Sequence, residues 1–533
     1  MEWAIRSDAA PRWYTAAMPA DAPNGTGSNL SRREMLKRLA AAEAGAILAG
    51  SAARLRAAVP GGLVQPSDRI ARENDRAGTR EWMLANTRID PKTKYRCPWV
   101  EGHCSRTSVR AGEQIHLFVG TNPASPFRID LYRMGYYRGD GGRHVMTLGP
   151  FRGAVQPDPP VGERRLRECD WEPCTTLTIP DDWLSGVYIG KLTAEREGLQ
   201  SYLIFIVRDD RPADFIFQCS DHTWQAYNRW PSQFSLYDDG KSQWYWGPGV
   251  DVSFRRPYGK YCQILDAPLS TGSGEWFLWE FPLAYWLEQH GYDVTYISNN
   301  DTHADPAGLM RAKGFLSVGH DEYYTIEMFD QLKAAIARGL NVAFLSGNVC
   351  CGRIDLRSDS AGNPHRTFSR IDRYGPKDSK ERFNSIFRLP YKSPNENTLV
   401  GARSTGEVTG GADYVCAKPD HWLFAGTGMK RGDAIPGLVG WEWHGDPADL
   451  PGLEVIATAP TTDGHGHPHG VYTSTIYPGP RNNVVFNASS CWWSDGLATP
   501  PGYVRPSVYT TPKGPDVRVQ RITANLLARM IKS

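Results

Sequence analysis

The chain has 533 residues, 41% apolar and 22% charged, with a formal net charge of +2. That length exceeds one ordinary core and implies two to four domains. Near-neutrality, with no basic run in the folded region, excludes a general nucleic-acid binder. The 18 Trp and 24 Tyr residues suit β-rich domains and aromatic-lined clefts. Ten cysteines in so long a chain do not make a disulfide scaffold. Cys97/Cys104 and Cys169/Cys174 are near enough in sequence to be bridged, and spacing alone leaves that open.

In chain order, the first signal is Ser31-Arg32-Arg33-Glu34-Met35-Leu36-Lys37, followed by a short, small-residue apolar stretch over 39–53. This resembles a twin-arginine export signal, too short for a membrane anchor, with Glu43 as a departure inside the apolar stretch. It predicts a leader over 1–58 and a periplasmic or secreted protein. Residues 59–93 are polar and weakly periodic, a linker or wrapping segment. No later stretch is long and apolar enough to cross a bilayer.

From 94 to 210 the pattern turns to short alternating runs: GEQIHLFVG (112–120), FRIDLYRMGYY (127–137), LTIPDDWLSGVYIGKLTA (177–194) and SYLIFIVRDD (201–210). Strands at that spacing, broken by Gly, Pro and Asp turns, predict a β-sandwich without chemistry of its own.

Over 211–533 the period changes again. Apolar strands at 214–220, 292–298, 314–319, 341–347 and 483–489 alternate with helices at 281–291, around 305–312, at 326–339 and at 516–531. Pro282 in a first turn and Gly291 and Gly339 past the ends are the expected helix punctuation. Such repeats predict a parallel sheet with right-handed crossovers, carrying a β-rich insertion over 385–480.

Four loops leave the carboxyl ends of these strands, where open α/β sheets keep their active sites. They carry Asp221, His222, Trp224, Tyr227, Asn228 and Tyr237; then His320, Glu322 and Tyr323; then Asn348, Cys350 and Cys351; and finally Cys491, Trp492 and Trp493. If the strands are neighbours, the loops converge on one crevice. The tight turn Gly319-His320-Asp321-Glu322 has no Ser or Cys, and neither Cys350 nor Cys351 sits in a nucleophile turn. A structural or redox role suits that vicinal pair better. The glycine-rich STGSGE (270–275) lacks the Lys of a phosphate cradle, and His465, His467 and His469 read as a hairpin tip rather than a metal site. What remains is a set of hard oxygen donors and an imidazole, which suits a metal that polarises a carbonyl and activates water. Asn228 and Asn348, on the first and third loops, are candidate substrate-binding residues.

IDLYRMGYYRGDGGR (129–143), LTIPDDWLSGVYIGKL (177–192), WQAYN (224–228), SLYDD (235–239), SFRRP (253–257), GHDEYY (319–324) and AFLSGN (343–348) carry a resemblance to the large-subunit family of N,N-dimethylformamidase. That resemblance implies a mononuclear iron held by two tyrosines and a glutamate, with a histidine two residues before the glutamate. By motif these fall on Tyr227, Tyr237, Glu322 and His320, with Tyr323 as an alternative second ligand because the two tyrosines stand close in sequence. It also implies a small amide substrate and either a small partner subunit or a homo-oligomer. The expectation is therefore a β-sandwich followed by a flavodoxin-like or class I glutaminase-like parallel-sheet domain, acting as an exported metal-dependent amidohydrolase. The alternatives are a non-catalytic secreted protein of the same fold and a Cys-dependent glutaminase-like enzyme.

Overall fold

The first strand of the parallel sheet, Ala213–Cys219, lies one strand in from the edge of that sheet rather than at the edge itself, and this placement creates the site. The structure, a computed structural model, describes residues 68–242, 244–260, 270–376, 389–505 and 514–533, so the expected leader and export signal (1–58) lie outside the described residues. Residues 66–533 make up one compact unit.

Mixed α/β architecture dominated by sheet is what the alternating patterns produce. In the sandwich region, a three-stranded sheet (Glu101–Cys104, Gln114–Gly120, Thr175–Thr178) faces a five-stranded one. Ile115, Leu117 and Val119 meet Ile129, Leu131, Tyr188, Leu203 and Phe205 in the core between them. The Gly186–Ala194 strand is buried at every position. Its other face, with Val187 and Ile189, joins Tyr132, Met134, Tyr202 and Ile204 in the core shared with the parallel sheet. The Gly186–Ala194 strand therefore has no solvent-facing side, which explains its unbroken burial where alternation would otherwise be expected.

Arg133 crosses this seam. Its guanidinium donates from NH1 to Glu288 Oε2 and from NH2 to Glu288 Oε1, each at 2.9 Å, with both side chains fully buried. Asn74 and Tyr296 donate to the same carboxylate at 2.8 and 2.9 Å. The described part of the expected linker wraps this contact: Arg69–Asn74 is a short helix and Trp82 is buried in the shared core.

Five parallel strands run Val294–Ser298, Ala213–Cys219, Ala312–Gly319, Asn341–Ser346, Val484–Asn487 across the sheet, an order of 2-1-3-4-5 by sequence. The order reverses between the first and third strands, opening a crevice at their carboxyl ends. Segment 385–480 does not stand apart from this sheet. Pro468–Pro478 pairs antiparallel with Val484–Asn487, and Glu454–Thr462, Ala402–Val415 and Ala434–Pro447 extend the sheet to nine strands. A small fourth sheet joins Asp251–Ser253, Thr367–Arg373, Gly352–Arg357 and Tyr323–Tyr324.

Helix Phe281–Gln289 has Pro282 in its first turn, and a π-helical turn, Trp276–Glu280, precedes it. Ile326–Arg338 is capped by Thr325, whose Oγ1 accepts from Met328 N–H at 3.2 Å, and ended by left-handed Gly339. The helix expected around 305–312 lies earlier, at Asn299–Ala304, with a 3₁₀ turn at Gly308–Arg311. Ser298 and Asp301 form a capping box there, a stronger start signal than the apolar residues further on. Among the described residues, no helix is long and apolar enough to cross a membrane.

Candidate metal and acid–base site

Gly319 ends the third parallel strand at φ 80°, and a Cβ there would stand 2.7 Å from Trp279 Cβ. The turn it permits reverses the chain so that His320 and Glu322 face the crevice while Asp321 turns back beneath it. Asp321 is fully engaged there: Ser317, Gln218 and Tyr324 donate to Oδ2 at 2.7, 2.6 and 2.8 Å, and Asn299 donates to Oδ1 at 2.9 Å. It is the framework residue of the motif, and Glu322 is the presented one.

Across the crevice, Asp221–Tyr227 is a short buried helix following the first parallel strand. Thr223 Oγ1 accepts from Glu322 N–H at 3.1 Å, tying the two loops together. The chain then folds back, Leu236 N–H donating to Ala226 O at 2.9 Å, and stacks Tyr237 on Tyr227 with ring centroids 4.5 Å apart. The result is a triangle of oxygens. Tyr227 OH lies 2.7 Å from Glu322 Oε2, Tyr237 OH lies 2.5 Å from Tyr227 OH, and Tyr237 OH lies 3.4 Å from both Glu322 oxygens. Donors about 2.1 Å from one ion and at right angles to each other stand about 3 Å apart, so the three oxygens are spaced as ligands of a single metal ion would be.

Tyr323 adds a third hydroxyl, bonded to that of Tyr237, and Arg370 NH1 donates to Tyr323 OH at 3.1 Å. The same guanidinium sits 4.8 Å from the Tyr237 ring centroid. Burial pushes the phenols of Tyr227, Tyr237 and Tyr323 well up, and the Glu322 carboxylate beside them adds to the rise. Without a cation they are neutral; a bound cation would reverse the balance and favour phenolate.

His320 lies on the far side of Glu322, its Nε2 3.6 Å from Glu322 Oε2. That nitrogen is paired with Glu442 Oε2. Sequence reasoning missed Glu442, which the Ala434–Pro447 strand delivers from the segment read as an insertion. Gly347 permits the approach, since a Cβ there would lie 2.1 Å from Glu442 O. His320, Glu322 and Glu442 are all buried and offer ligand atoms within 4.8 Å of one another, so they form a second donor set sharing Glu322. Burial pulls the His320 imidazole down, but Glu442, then Glu322 and Glu275, outweigh it and raise it to about 9. Burial and the neighbouring Glu442 push Glu322 up to about 7, against the pull of His320 and the Tyr227 hydroxyl. Trp279 covers the imidazole and itself packs on Trp441 and Trp492.

The two amides diverge. Asn348, at φ 50°, donates to Glu442 Oε2 at 3.0 Å, and among the described residues its buried Oδ1 has no partner. Asn228 is not brought to the cluster. Its Nδ2 donates to Gln225 Oε1 and Pro257 O, and its Oδ1 accepts from Trp230 and Gly259 N–H, which holds the loop in place. Cys350 and Cys351 are buried thiols; burial pushes Cys350 well up and Cys351 up to about 12, so both stay protonated. All described cysteines, Cys97, Cys104, Cys169 and Cys174 among them, are free thiols. His465 and His467 stand exposed at a hairpin turn and are not in a metal-spaced group among the described residues.

Fold and site together define a mixed α/β protein with a buried phenol–carboxylate–imidazole centre at the point where the strand order reverses. The chain belongs to the N,N-dimethylformamidase beta subunit-like family, whose C-terminal region matches residues 128–506. The family name refers to a hydrolase acting on amides. A comparison with curated proteins returns no match.

Proposed function

We propose that the protein is a metal-dependent amidohydrolase that cleaves the C–N bond of a small amide, with one iron held by Tyr227, Tyr237 and Glu322. The observation that carries this reading is the oxygen triangle with the His320–Glu442 pair beside it. Two phenols and a carboxylate are hard donors that suit a ferric ion. When bound, the ion would polarise the amide carbonyl and acidify a water molecule.

The rest falls to the chain's own residues. His320 holds a proton at Nε2, oriented and stabilised by Glu442. As an imidazolium it would give that proton to the departing nitrogen and then recover one from water, so that the proton is carried between the two, a role typically worth a factor of about 10²–10⁴. Asn348 Oδ1, buried and without a partner, would accept an N–H from substrate or water. Trp279 excludes solvent from the imidazole. Asn228 positions the loop that carries Tyr227. The buried, protonated thiols of Cys350 and Cys351 give no support to a cysteine mechanism.

The test is metal analysis and amine release from small formamides and acetamides. Parent protein is expected to hold close to one iron and to show a phenolate-to-metal absorption band. Tyr227→Phe and Glu322→Ala should lose both, and His320→Ala should keep the iron but lose most turnover. A folded parent protein purified without chelators that contains no iron would overturn the reading.

Three wider assignments accompany it. The 2-1-3-4-5 strand order supports a flavodoxin-like or glutaminase-like parallel domain. The family name supports a small-subunit partner, with a homo-oligomer as the other assembly to be separated by size and composition of the purified complex. Arg32 and Arg33 support twin-arginine export to the periplasm or beyond. Replacing both with Lys should leave the protein in the cytoplasm, and unchanged export would refute that assignment.

A further inference from the structure

A small cavity of about 30 Å³, mostly apolar but carrying two buried basic side chains, lies where the three-stranded sheet meets the helix and loops behind the first parallel strand. Its lining includes His103, Arg366, Ile206, Trp224 and Phe254, with the more exposed Arg106 beside them. None of the proposed catalytic or metal-binding residues lines it.

His103 and Arg366 are only 6% and 5% exposed. The imidazole stacks on Phe118 at 4.7 Å, and among the described residues neither of its ring nitrogens has a hydrogen-bond partner. Arg366 lies over the Phe254 ring at 5.4 Å and donates from NH2 to Cys104 O at 3.2 Å, while its Nε has no partner. Among the described residues no carboxylate lies within ion-pair distance of this guanidinium. The nearby Asp221 already receives Ser298 Oγ on Oδ2 and Asn299 N–H on Oδ1, both at 2.7 Å. Arg255 turns to Glu168, Asp170 and Asp359 instead.

A buried cation without a counter-charge is strongly destabilising. Water would satisfy N–H donors but would not neutralise the charge. We propose that this cavity binds one monovalent, halide-sized anion, held by the Arg366 guanidinium and a ring N–H of His103. The volume has room for a single small ion, and the walls of Ile206, Trp224 and Phe254 provide a low-dielectric surround in which the ion pair is strong. Burial pulls Arg366 down to about 10 despite the weaker opposing pull of Tyr258 and Asp359, a cost an anion would relieve. The ion would tie Glu101–Cys104 of the sandwich region to Arg366 at the start of the Thr367–Arg373 strand.

The experiment uses the full chain, crystallised in sodium bromide, with diffraction recorded at the bromine absorption edge. An anomalous peak within hydrogen-bond distance of His103 and Arg366 is the expected result. In solution, bromide or chloride should raise the melting temperature by about 2–4 °C over gluconate at equal ionic strength. Arg366→Met and His103→Phe should abolish that difference, and nitrate and formate arms distinguish a halide from a small oxyanion. If the variants fail to fold, the anomalous map of the parent protein decides alone. Water only in the cavity, or a halide effect that persists unchanged in folded Arg366→Met, overturns the proposal.

Discussion

Glu442 is the residue on which the acid–base reading turns. It has two neighbours with different claims on it: His320 Nε2, which it pairs with, and Glu322, whose oxygen lies in the tyrosine triangle. If Glu442 serves His320, Glu442→Gln should keep iron and lower turnover by about 10²-fold or more, because the imidazole loses the charge that holds its proton. If Glu442 is instead a ligand, the same variant should lose iron in step with activity. Iron stoichiometry beside kcat separates the two. Little signal for Glu442 existed in the sequence. It stands between Trp441 and Trp443 in a run that reads as an ordinary strand, and the left-handed φ of 62° at Trp441 breaks the alternation that would have shown which way each side chain points.

At the scale of elements, the turn after the Ala312–Gly319 strand has to do two things at once: reverse the chain and leave room for Trp279. Only glycine does both at position 319, where φ is 80° and the space for a Cβ is already taken. Gly319→Ala should cost about 1–3 kcal/mol in backbone strain before any clash is counted. It should also displace His320 and Glu322 together, so iron occupancy falls along with stability. Urea unfolding and metal analysis of the same preparation check this; a variant of parental stability and full iron content would contradict it. The glycine was visible in the sequence as a strand terminator. Its second duty was not, because Trp279 approaches from a π-helical turn about 40 residues earlier in the chain.

For the whole molecule, the Arg133–Glu288 pair joins the sandwich region to the helix packed against the parallel sheet. Both side chains are fully buried, and the carboxylate accepts from Asn74 and Tyr296 as well. Removing one partner leaves an uncompensated buried charge, so Glu288→Gln should destabilise by about 3–5 kcal/mol. Denaturant unfolding followed by tryptophan fluorescence reads this directly. A loss below about 1 kcal/mol would mean that the two regions do not depend on the contact.

Sequence by itself determined the local elements and the loops that matter. The period of two in 94–210 and the strand–helix repeats after 211 follow from which side chains each element must bury, and burial is written in the apolar pattern. His320, Glu322, Tyr227 and Tyr237 were nameable as candidates because GHDEYY, WQAYN and SLYDD are short, local motifs that carry the family resemblance. Tertiary structure alone decided the rest. Asn228 and Asn348 look alike in sequence, yet one amide is fully engaged by its own loop and the other keeps a free buried oxygen beside Glu442. The segment over 385–480 reads as an insertion because its strands are short and turn-rich, but edge pairing with Val484–Asn487 makes it part of the central sheet. Strand pairing between residues far apart in sequence leaves no periodic trace, since the backbone groups that form it are the same at every position. That is why the second carboxylate of the site became visible only once the sheet was assembled.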